Sequence, residues 1–208
     1  MGLTTIFFSS FVIAFSGAMM PGPMFTATML MSSTKGTRAG PLIVMGHGTL
    51  EAILVALLYA GFGRLFKDHI LMGCIGVAGS AALLWMAYEA FRFREKSGIQ
   101  TGGKFFGRSP YVAGVVTSLS NPYWIIWWIT IGLSSIVLSF PYGIRGVITF
   151  YAGHILADLV WYTIVAVAFS FMKRFISSRG FRVIAAVSGA VFAGFAVYFL
   201  WFGIQNFR

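Results

Sequence analysis

The chain consists mainly of long apolar runs, separated by short segments that hold nearly all of its charges. Hydrophobic residues make up 58% of the 208 residues and charged residues 10%, whereas a soluble globular chain has about 25% charged residues. A hydrocarbon core about 30 Å thick requires about 20 apolar residues per helix. The runs therefore predict an all-α, polytopic integral membrane protein with no separate soluble catalytic domain.

Six runs are long enough to cross the bilayer, and we place transmembrane helices at about 4–32, 40–63, 69–91, 109–138, 145–172 and 182–206. They form a single transmembrane domain over residues 1–208. The first charge is Lys35, so the first run lacks the basic region of a signal peptide and is expected to stay in the mature protein.

The charged residues between the runs predict the orientation. Eleven basic residues fall in three loops, and the positive-inside rule places these loops in the cytoplasm. The protein is therefore expected in the cytoplasmic membrane with both termini outside. The net charge of +10 is explained by contacts of these loops with lipid headgroups, and no nucleic-acid partner is expected. The eleven residues are Lys35, Arg38, Arg92, Arg94, Lys96, Lys104, Arg108, Lys173, Arg174, Arg179 and Arg182.

Helix-breaking residues interrupt two of the runs, as Pro21-Gly22-Pro23 in the first and Asn121-Pro122 in the fourth. A proline removes a backbone donor and clashes with the preceding turn, so each break leaves unpaired carbonyls before it and unpaired amides after it. These groups must face protein or water, and the amide ends suit a carboxylate. A proline kink packed by neighbouring helices is the alternative. The predicted substrate-binding residues are Pro21, Gly22, Pro23, Met24, Asn121, Pro122 and Tyr123.

An internal repeat is suggested by two short segments. Gly46-His47-Gly48-Thr49-Leu50-Glu51 and Gly153-His154-Ile155-Leu156-Ala157-Asp158 share Gly, His and an acid in the same frame. Three crossings per repeat would make the halves inverted, which is a transporter architecture. We predict repeats over about 1–95 and about 108–208, joined by a basic cytoplasmic loop at about 92–110. Chance similarity of two glycine-rich helices is the alternative.

Glu51 and Asp158 are carboxylates well inside predicted spans, where a charge is costly and is a functional candidate by default. They are predicted to bind an ammonium group or to exchange a proton; the alternative is a structural hydrogen bond. His47 and His154 each precede one of the acids by four positions, so the four residues also form a candidate ligand set for zinc, cadmium, nickel or manganese. The aromatic run from Tyr123 to Trp128 either lines a pathway or faces lipid.

Taken together, these residues resemble the LysE/RhtB family of amino-acid exporters, the LysE-type translocators, over nearly the whole chain. Pro21-Gly22-Pro23 combined with Asn121-Pro122 is the fairly specific part of the resemblance. The chain departs from the family pattern at Tyr123, where the family commonly has Lys, and at His47 and His154. The other matching positions are Gly36-Thr37-Arg38-Ala39-Gly40, Gly46, Glu51, Gly79, Gly114, Gly153, Asp158, Trp161, Gly189 and Gly194.

The resemblance implies a secondary transporter that exports a small amino acid or a related zwitterion. Catalytic and nucleotide-binding motifs are missing from the sequence, so we predict no enzyme activity, no cofactor, and coupling to the proton or another ion. In this interpretation the half-helix amides hold the substrate carboxylate, while homo-oligomerisation is left open. One alternative is a divalent metal transporter, because related families in the same superfamily move such ions. Another is a membrane scaffold that transports nothing.

Overall fold

The apolar runs fold into helices whose ends fall at prolines, glycines and charged residues. The computed structural model describes residues 2–20, 22–61, 68–92, 94–96, 99–101, 109–172, 175 and 177–207. The helices are α1 Leu3–Ala18, α2 Pro23–Lys35, α3 Ala39–Tyr59, α4 His69–Phe91, α5 Pro110–Leu119, α6 Pro122–Trp127, α7 Leu133–Ser139, α8 Gly143–Met172 and α9 Ser178–Asn206.

Short irregular segments connect several of these helices. A π-helical segment, Trp128–Gly132, joins α6 to α7, and a 3-10 turn, Phe140–Tyr142, joins α7 to α8. The predicted basic loop contains two strands, β1 Arg94–Lys96 and β2 Ile99–Thr101, which pair antiparallel. The all-α prediction is therefore confirmed for the membrane segments, but the loop is not entirely irregular.

The helix ends follow local rules. Proline occupies the first position of α2, α5 and α6, where its missing N–H has no intrahelical acceptor in any case. Gly36 ends α2 with a φ of +77°, a conformation that favours glycine. Asp68 begins α4 by accepting a hydrogen bond from the Leu71 amide at 2.9 Å.

Both predicted breaks are present. The first predicted span is two helices, α1 and α2, that meet at 76°. The predicted fourth span is α5 followed by α6 and α7, and it is interrupted at Ser120 and Asn121. Among the described residues, the stretches 39–59, 69–91, 128–172 and 182–206 are each long and apolar enough to cross a bilayer, and α1 with α2 adds a fifth candidate. The count of six spans therefore stays a prediction, since α5 has only 10 residues.

The main contacts between helices recur when the two predicted halves of the chain are exchanged. α1 and α2 pack on α8, α5 and α7 pack on α3, α4 packs on α9, and α3 packs on α8. If residues 1–95 and residues 108–208 are exchanged, the packing of α1 and α2 on α8 becomes the packing of α5 and α7 on α3. The α4–α9 and α3–α8 pairs are unchanged by the exchange. The repeat and its inverted orientation both stay predictions.

Glycines allow two of these contacts to be close. A Cβ at Gly46 of α3 would overlap the carbonyl oxygen of Tyr111 in α5, and a Cβ at Gly153 of α8 would overlap the carbonyl oxygen of Phe7 in α1. Gly46 and Gly153 are equivalent positions of the two repeated segments. Each glycine therefore brings its helix against the backbone of a helix from the other half.

Two apolar clusters flank the centre of the molecule. One lies mainly among α2, α3, α4, α5 and α9, and includes Leu83 and Phe192. The other lies among α1, α3, α7 and α8, and includes Trp128 and Phe150. Trp124 packs against both clusters. The buried polar residues of the candidate site lie beside this tryptophan, where the two clusters meet.

Candidate functional site

Four buried polar side chains face one another where α3 packs on α8. His47 and Glu51 lie one turn apart on α3, and His154 and Asp158 lie one turn apart on α8. The i, i+4 spacing puts each pair on one helical face. All four are buried, and Glu51 has only 1% of its surface exposed. The structure thus brings the two predicted pairs together as one group, which we call the His–carboxylate cluster.

The cluster is held by contacts between its imidazole nitrogens and carboxylate oxygens. His47 Nε2 lies 3.1 Å from Glu51 Oε1 and 3.5 Å from Asp158 Oδ2. His154 Nε2 lies 3.2 Å from Glu51 Oε1, 3.1 Å from Glu51 Oε2 and 3.5 Å from Asp158 Oδ2. Within the described part of the chain, Glu51 Oε2 and Asp158 Oδ2 have no partner in hydrogen-bonding geometry. A bound positive charge would therefore stabilise the cluster.

Ser118 of α5 fixes the orientation of the His47 ring. The Ser118 hydroxyl donates to the Gly114 carbonyl oxygen at 2.7 Å, and its oxygen lies 2.6 Å from His47 Nδ1. A hydroxyl has one hydrogen, so His47 Nδ1 must be the donor in the second contact. This assignment of hydrogens follows from the network. In a neutral imidazole, the lone pair of His47 Nε2 then points at the two carboxylates.

Two tryptophans after the second helix break contact the same carboxylate. Trp124 Nε1 and Trp128 Nε1 each donate to Glu51 Oε1 at 2.9 Å. Their i, i+4 spacing matches that of the His and acid pairs, and this spacing was the signal in the sequence that could have identified them. The aromatic run therefore has at least two members that face the protein interior.

Aromatic rings surround His154. Its ring centroid lies 4.8 Å from that of Trp127, 5.3 Å from that of Trp128 and 6.0 Å from that of Phe150. Within the described residues, His154 Nδ1 has no hydrogen-bond partner. Ring packing rather than a hydrogen bond to Nδ1 therefore orients this histidine.

Two adjoining cavities connect the cluster to the helix breaks. A cavity of about 60 Å³ is lined by all four cluster residues and by Met24 and Asn121, among others. A second cavity, of about 120 Å³, also has Met24 and Asn121 in its lining. An ideal Cβ at Gly22 would lie 3.8 Å from Asn121 Nδ2, so the two breaks lie side by side.

The structure places three of the seven predicted substrate-binding residues, Gly22, Met24 and Asn121, in the lining of these cavities. Gly22, Pro23 and Met24 are buried at the start of α2, and Met24 and Asn121 line both cavities. Pro122 and Tyr123 begin α6, but contacts of their side chains lie outside the described part of the chain, as does Pro21. Four further residues line the first cavity or contact the cluster: Ser118 and Tyr162, which were not predicted, and Trp124 and Trp128, for which the sequence left open a pathway or a lipid-facing position.

Replacing Trp128 with Phe tests the hydrogen bond to Glu51. The substitution removes one N–H donor to a buried carboxylate and also leaves a cavity where part of the buried indole lay, so the free energy of unfolding should fall by at least about 1.5–3 kcal/mol. The measurement is a denaturation titration in mixed micelles. Trp201→Phe in α9 is the matched control, because Trp201 is exposed and its change should be within about 0.5 kcal/mol. Equal losses in the two variants would contradict a stabilising role of the Trp128 N–H.

Comparisons with known proteins identify related sequences over nearly the whole chain. The family model described as LysE type translocator matches residues 15–203. The "Chemotactic transduction protein ChpE" of Pseudomonas aeruginosa is 26% identical over 198 residues, which are 93% of this chain and 97% of the relative. The "Uncharacterized membrane protein YahN" of Escherichia coli is 28% identical over 201 residues, 94% of this chain and 88% of the relative. The "Putative amino acid efflux protein YcgF" of Bacillus subtilis is 22% identical over 204 residues, 97% of this chain and 98% of the relative. No solved structure matches the chain significantly.

Proposed function

The chain belongs to the LysE type translocator family, as its motifs predicted, and on this premise we propose that it is a secondary transporter. It exports a small amino acid or a related zwitterionic metabolite across the cytoplasmic membrane, driven by the proton motive force. The amino acid efflux named for the Bacillus subtilis relative supports this substrate class. The comparisons give no support to the alternative of a divalent metal transporter, and metal transport is not proposed.

One observation carries the proposal: the two helix breaks and the His–carboxylate cluster surround the same pair of adjoining cavities. Met24 from the first break and Asn121 from the second line both cavities, and Glu51 and Asp158 line the first. A zwitterion has a negative and a positive end joined by a short carbon skeleton. The cavities provide hydrogen-bond donors for the negative end and carboxylates for the positive end.

The helix break before α2 supplies groups for the substrate carboxylate. The first-turn amides of a helix have no intrahelical acceptor, and the helix dipole places positive charge there. α2 begins at Pro23 beside the cavities, and the Thr26 amide donates to the Gly22 carbonyl oxygen at 3.0 Å. The preceding amide groups of α2 and the side chain of Asn121 are proposed to bind the carboxylate.

The His–carboxylate cluster supplies groups for the substrate ammonium. Glu51 Oε2 and Asp158 Oδ2 are buried acceptors that face the cavity. An ammonium group donates three hydrogen bonds, and its positive charge compensates the negative charge of the two carboxylates. In the absence of substrate, a proton takes the same place, and this exchange couples export to the proton gradient.

The cavity volumes indicate that transport requires a conformational change. Sites for small ligands generally have volumes of about 300–1,000 Å³, whereas the cavity at the cluster has about 60 Å³. The described conformation thus leaves little room for substrate beside Glu51 and Asp158. Rocking of the two halves about the cluster, as inverted-repeat transporters do, is proposed to open the site alternately to each side.

The test is counterflow in proteoliposomes. Vesicles that contain purified protein are loaded with one unlabelled amino acid at a time, and entry of the same labelled amino acid is measured, so that the orientation of the protein does not matter. At least one amino acid should exchange, and an imposed pH gradient should drive its accumulation until a protonophore is added. Vesicles with the Glu51→Gln, Asp158→Asn double variant provide the inactive control. Failure of every amino acid and small zwitterionic derivative to exchange would refute the proposal.

A further inference from the structure

The ligand atoms of the His–carboxylate cluster form a closed ring in which nitrogen and oxygen alternate. In order, the ring contains His47 Nε2, Glu51 Oε1, His154 Nε2 and Asp158 Oδ2. Its four sides measure 3.1, 3.2, 3.5 and 3.5 Å. One ligand atom from each residue lies within 4.8 Å of the other three. Two imidazoles and two carboxylates are thus arranged about one point.

These spacings fit a bound transition-metal ion. Zinc binds histidine nitrogen and carboxylate oxygen at about 2.0–2.2 Å, usually as a tetrahedron. At about 2.1 Å, the ligand atoms of a tetrahedron are separated by about 3.4 Å. The four measured sides lie on both sides of this value. The two diagonal separations are no more than 4.8 Å, and the ring must fold toward a tetrahedron to bring them to the same value.

The surrounding hydrogen bonds prepare the ring for a cation. Ser118 holds His47 through Nδ1 and so leaves Nε2 as the nitrogen that faces the carboxylates. A metal-bound histidine normally has such a partner on its other ring nitrogen. Trp124 and Trp128 donate to Glu51 Oε1 and so hold this carboxylate against the two histidines, while Glu51 Oε2 has no partner in hydrogen-bonding geometry among the described residues.

We propose that His47, Glu51, His154 and Asp158 form a binding site for one divalent transition-metal ion of the zinc class, and that the bound ion inhibits transport. Imidazole and carboxylate together select such ions over magnesium and calcium, which prefer oxygen ligands alone. The dication neutralises the two carboxylates at a buried position where charge is otherwise costly. Binding stands on this geometry alone, whereas inhibition rests on the proposed function, since the ion occupies the two carboxylates assigned to the ammonium group.

Zinc binding is tested with the full chain purified in detergent through an affinity tag that contains no histidine. Zn²⁺ from a buffered chelator series should raise the thermal stability of the wild type, because a ligand that binds only the folded protein stabilises it by mass action. Mg²⁺ at the same concentrations should not. X-ray absorption at the zinc edge should give about two nitrogen and two oxygen ligands at about 2.0–2.2 Å.

Variants separate this site from other zinc-binding groups. The His47→Ala, His154→Ala double variant should bind Zn²⁺ at least about 100-fold more weakly, and Ser118→Ala about 10-fold more weakly, because it removes only the partner of a ligand. Ser118→Ala also keeps the test valid if the double variant fails to fold. His69→Ala is the matched control, since His69 is exposed at the start of α4 and its loss should leave the affinity unchanged. No stabilisation of the wild type, or equal Zn²⁺ affinity in wild type and Ser118→Ala, would overturn the site.

The inhibitory role has its own readout. Zn²⁺ should stop amino-acid counterflow by the wild type at concentrations that fill the site, and the Ser118→Ala variant should need about 10-fold more. Full counterflow with the site filled would overturn inhibition while leaving the binding site intact. If no amino acid exchanges at all, the proposed function fails, but the stability and absorption measurements still decide whether zinc binds.

Discussion

Export by the Glu51→Gln variant should fall by about 100-fold or more, although the protein still reaches the membrane. Glu51 accepts from Trp124 and Trp128 and lies within 3.2 Å of His154 Nε2. The neutral amide removes the charge to which these donors and the substrate ammonium are directed. Each hydrogen bond to a charged group is worth about 1.5–3 kcal/mol, and loss of the equivalent of two of them is about 100-fold or more in rate or affinity. The measurements, per amount of folded protein, are the initial rate of counterflow, which tests ammonium binding, and the rate of uptake driven by an imposed pH gradient, which tests proton coupling.

Asp68→Asn is the matched control for this variant. It makes the same change from acid to amide, but Asp68 is exposed before α4, and asparagine can still accept from the Leu71 amide. Export by the control should equal that of the wild type. A Glu51→Gln variant with near-normal export would refute the role of Glu51 in both ammonium binding and proton coupling.

The second large effect is expected at Gly46, where alanine should destabilise the folded protein by about 3 kcal/mol or more. The added Cβ would overlap the Tyr111 carbonyl oxygen, and a backbone atom cannot move aside as a flexible side chain can. α3 and α5 must then separate, and both carry residues of the site, His47 and Ser118. The denaturation midpoint in mixed micelles should fall, together with the yield of folded protein.

Gly194→Ala in α9 is the control for this substitution. An ideal Cβ at Gly194 meets no atom within 4 Å, and alanine favours helix by up to about 1 kcal/mol over glycine. Its stability should therefore be unchanged or higher. If both glycine variants are equally stable, close contact of α3 with α5 at Gly46 does not hold the fold together.

The positions of the helix breaks could be predicted from sequence, because proline acts on its own backbone and the preceding turn. α2 begins at Pro23 and α6 at Pro122, each at the last proline of a predicted break. The 76° angle between α1 and α2 could not be predicted in this way. A bend depends on which neighbouring helices pack against each half.

The aromatic run after Asn121 shows where the sequence left alternatives open. Tryptophan in a membrane helix suits lipid, the interface or the protein interior equally well by composition. The positions of Glu51 and of the π-helical segment decide that Trp124 and Trp128 donate to this carboxylate. The sequence contained their i, i+4 spacing but nothing that named their acceptor.

By itself, the sequence determined the properties that depend on neighbouring residues: the apolar helices, the breaks at the prolines, and the placement of each His and its acid on one helical face. Hydropathy and a helical period act within a few residues, so they can be read along the chain. Only the tertiary structure decided that the two pairs meet. Glu51 and His154 are 103 positions apart, and their contact requires α3 and α8 to pack at one register. The close approach of α3 to α8 depends on Gly40 and Gly48, where a Cβ would overlap the Tyr162 carbonyl oxygen and the Ile155 side chain of α8, and no local pattern specifies these contacts.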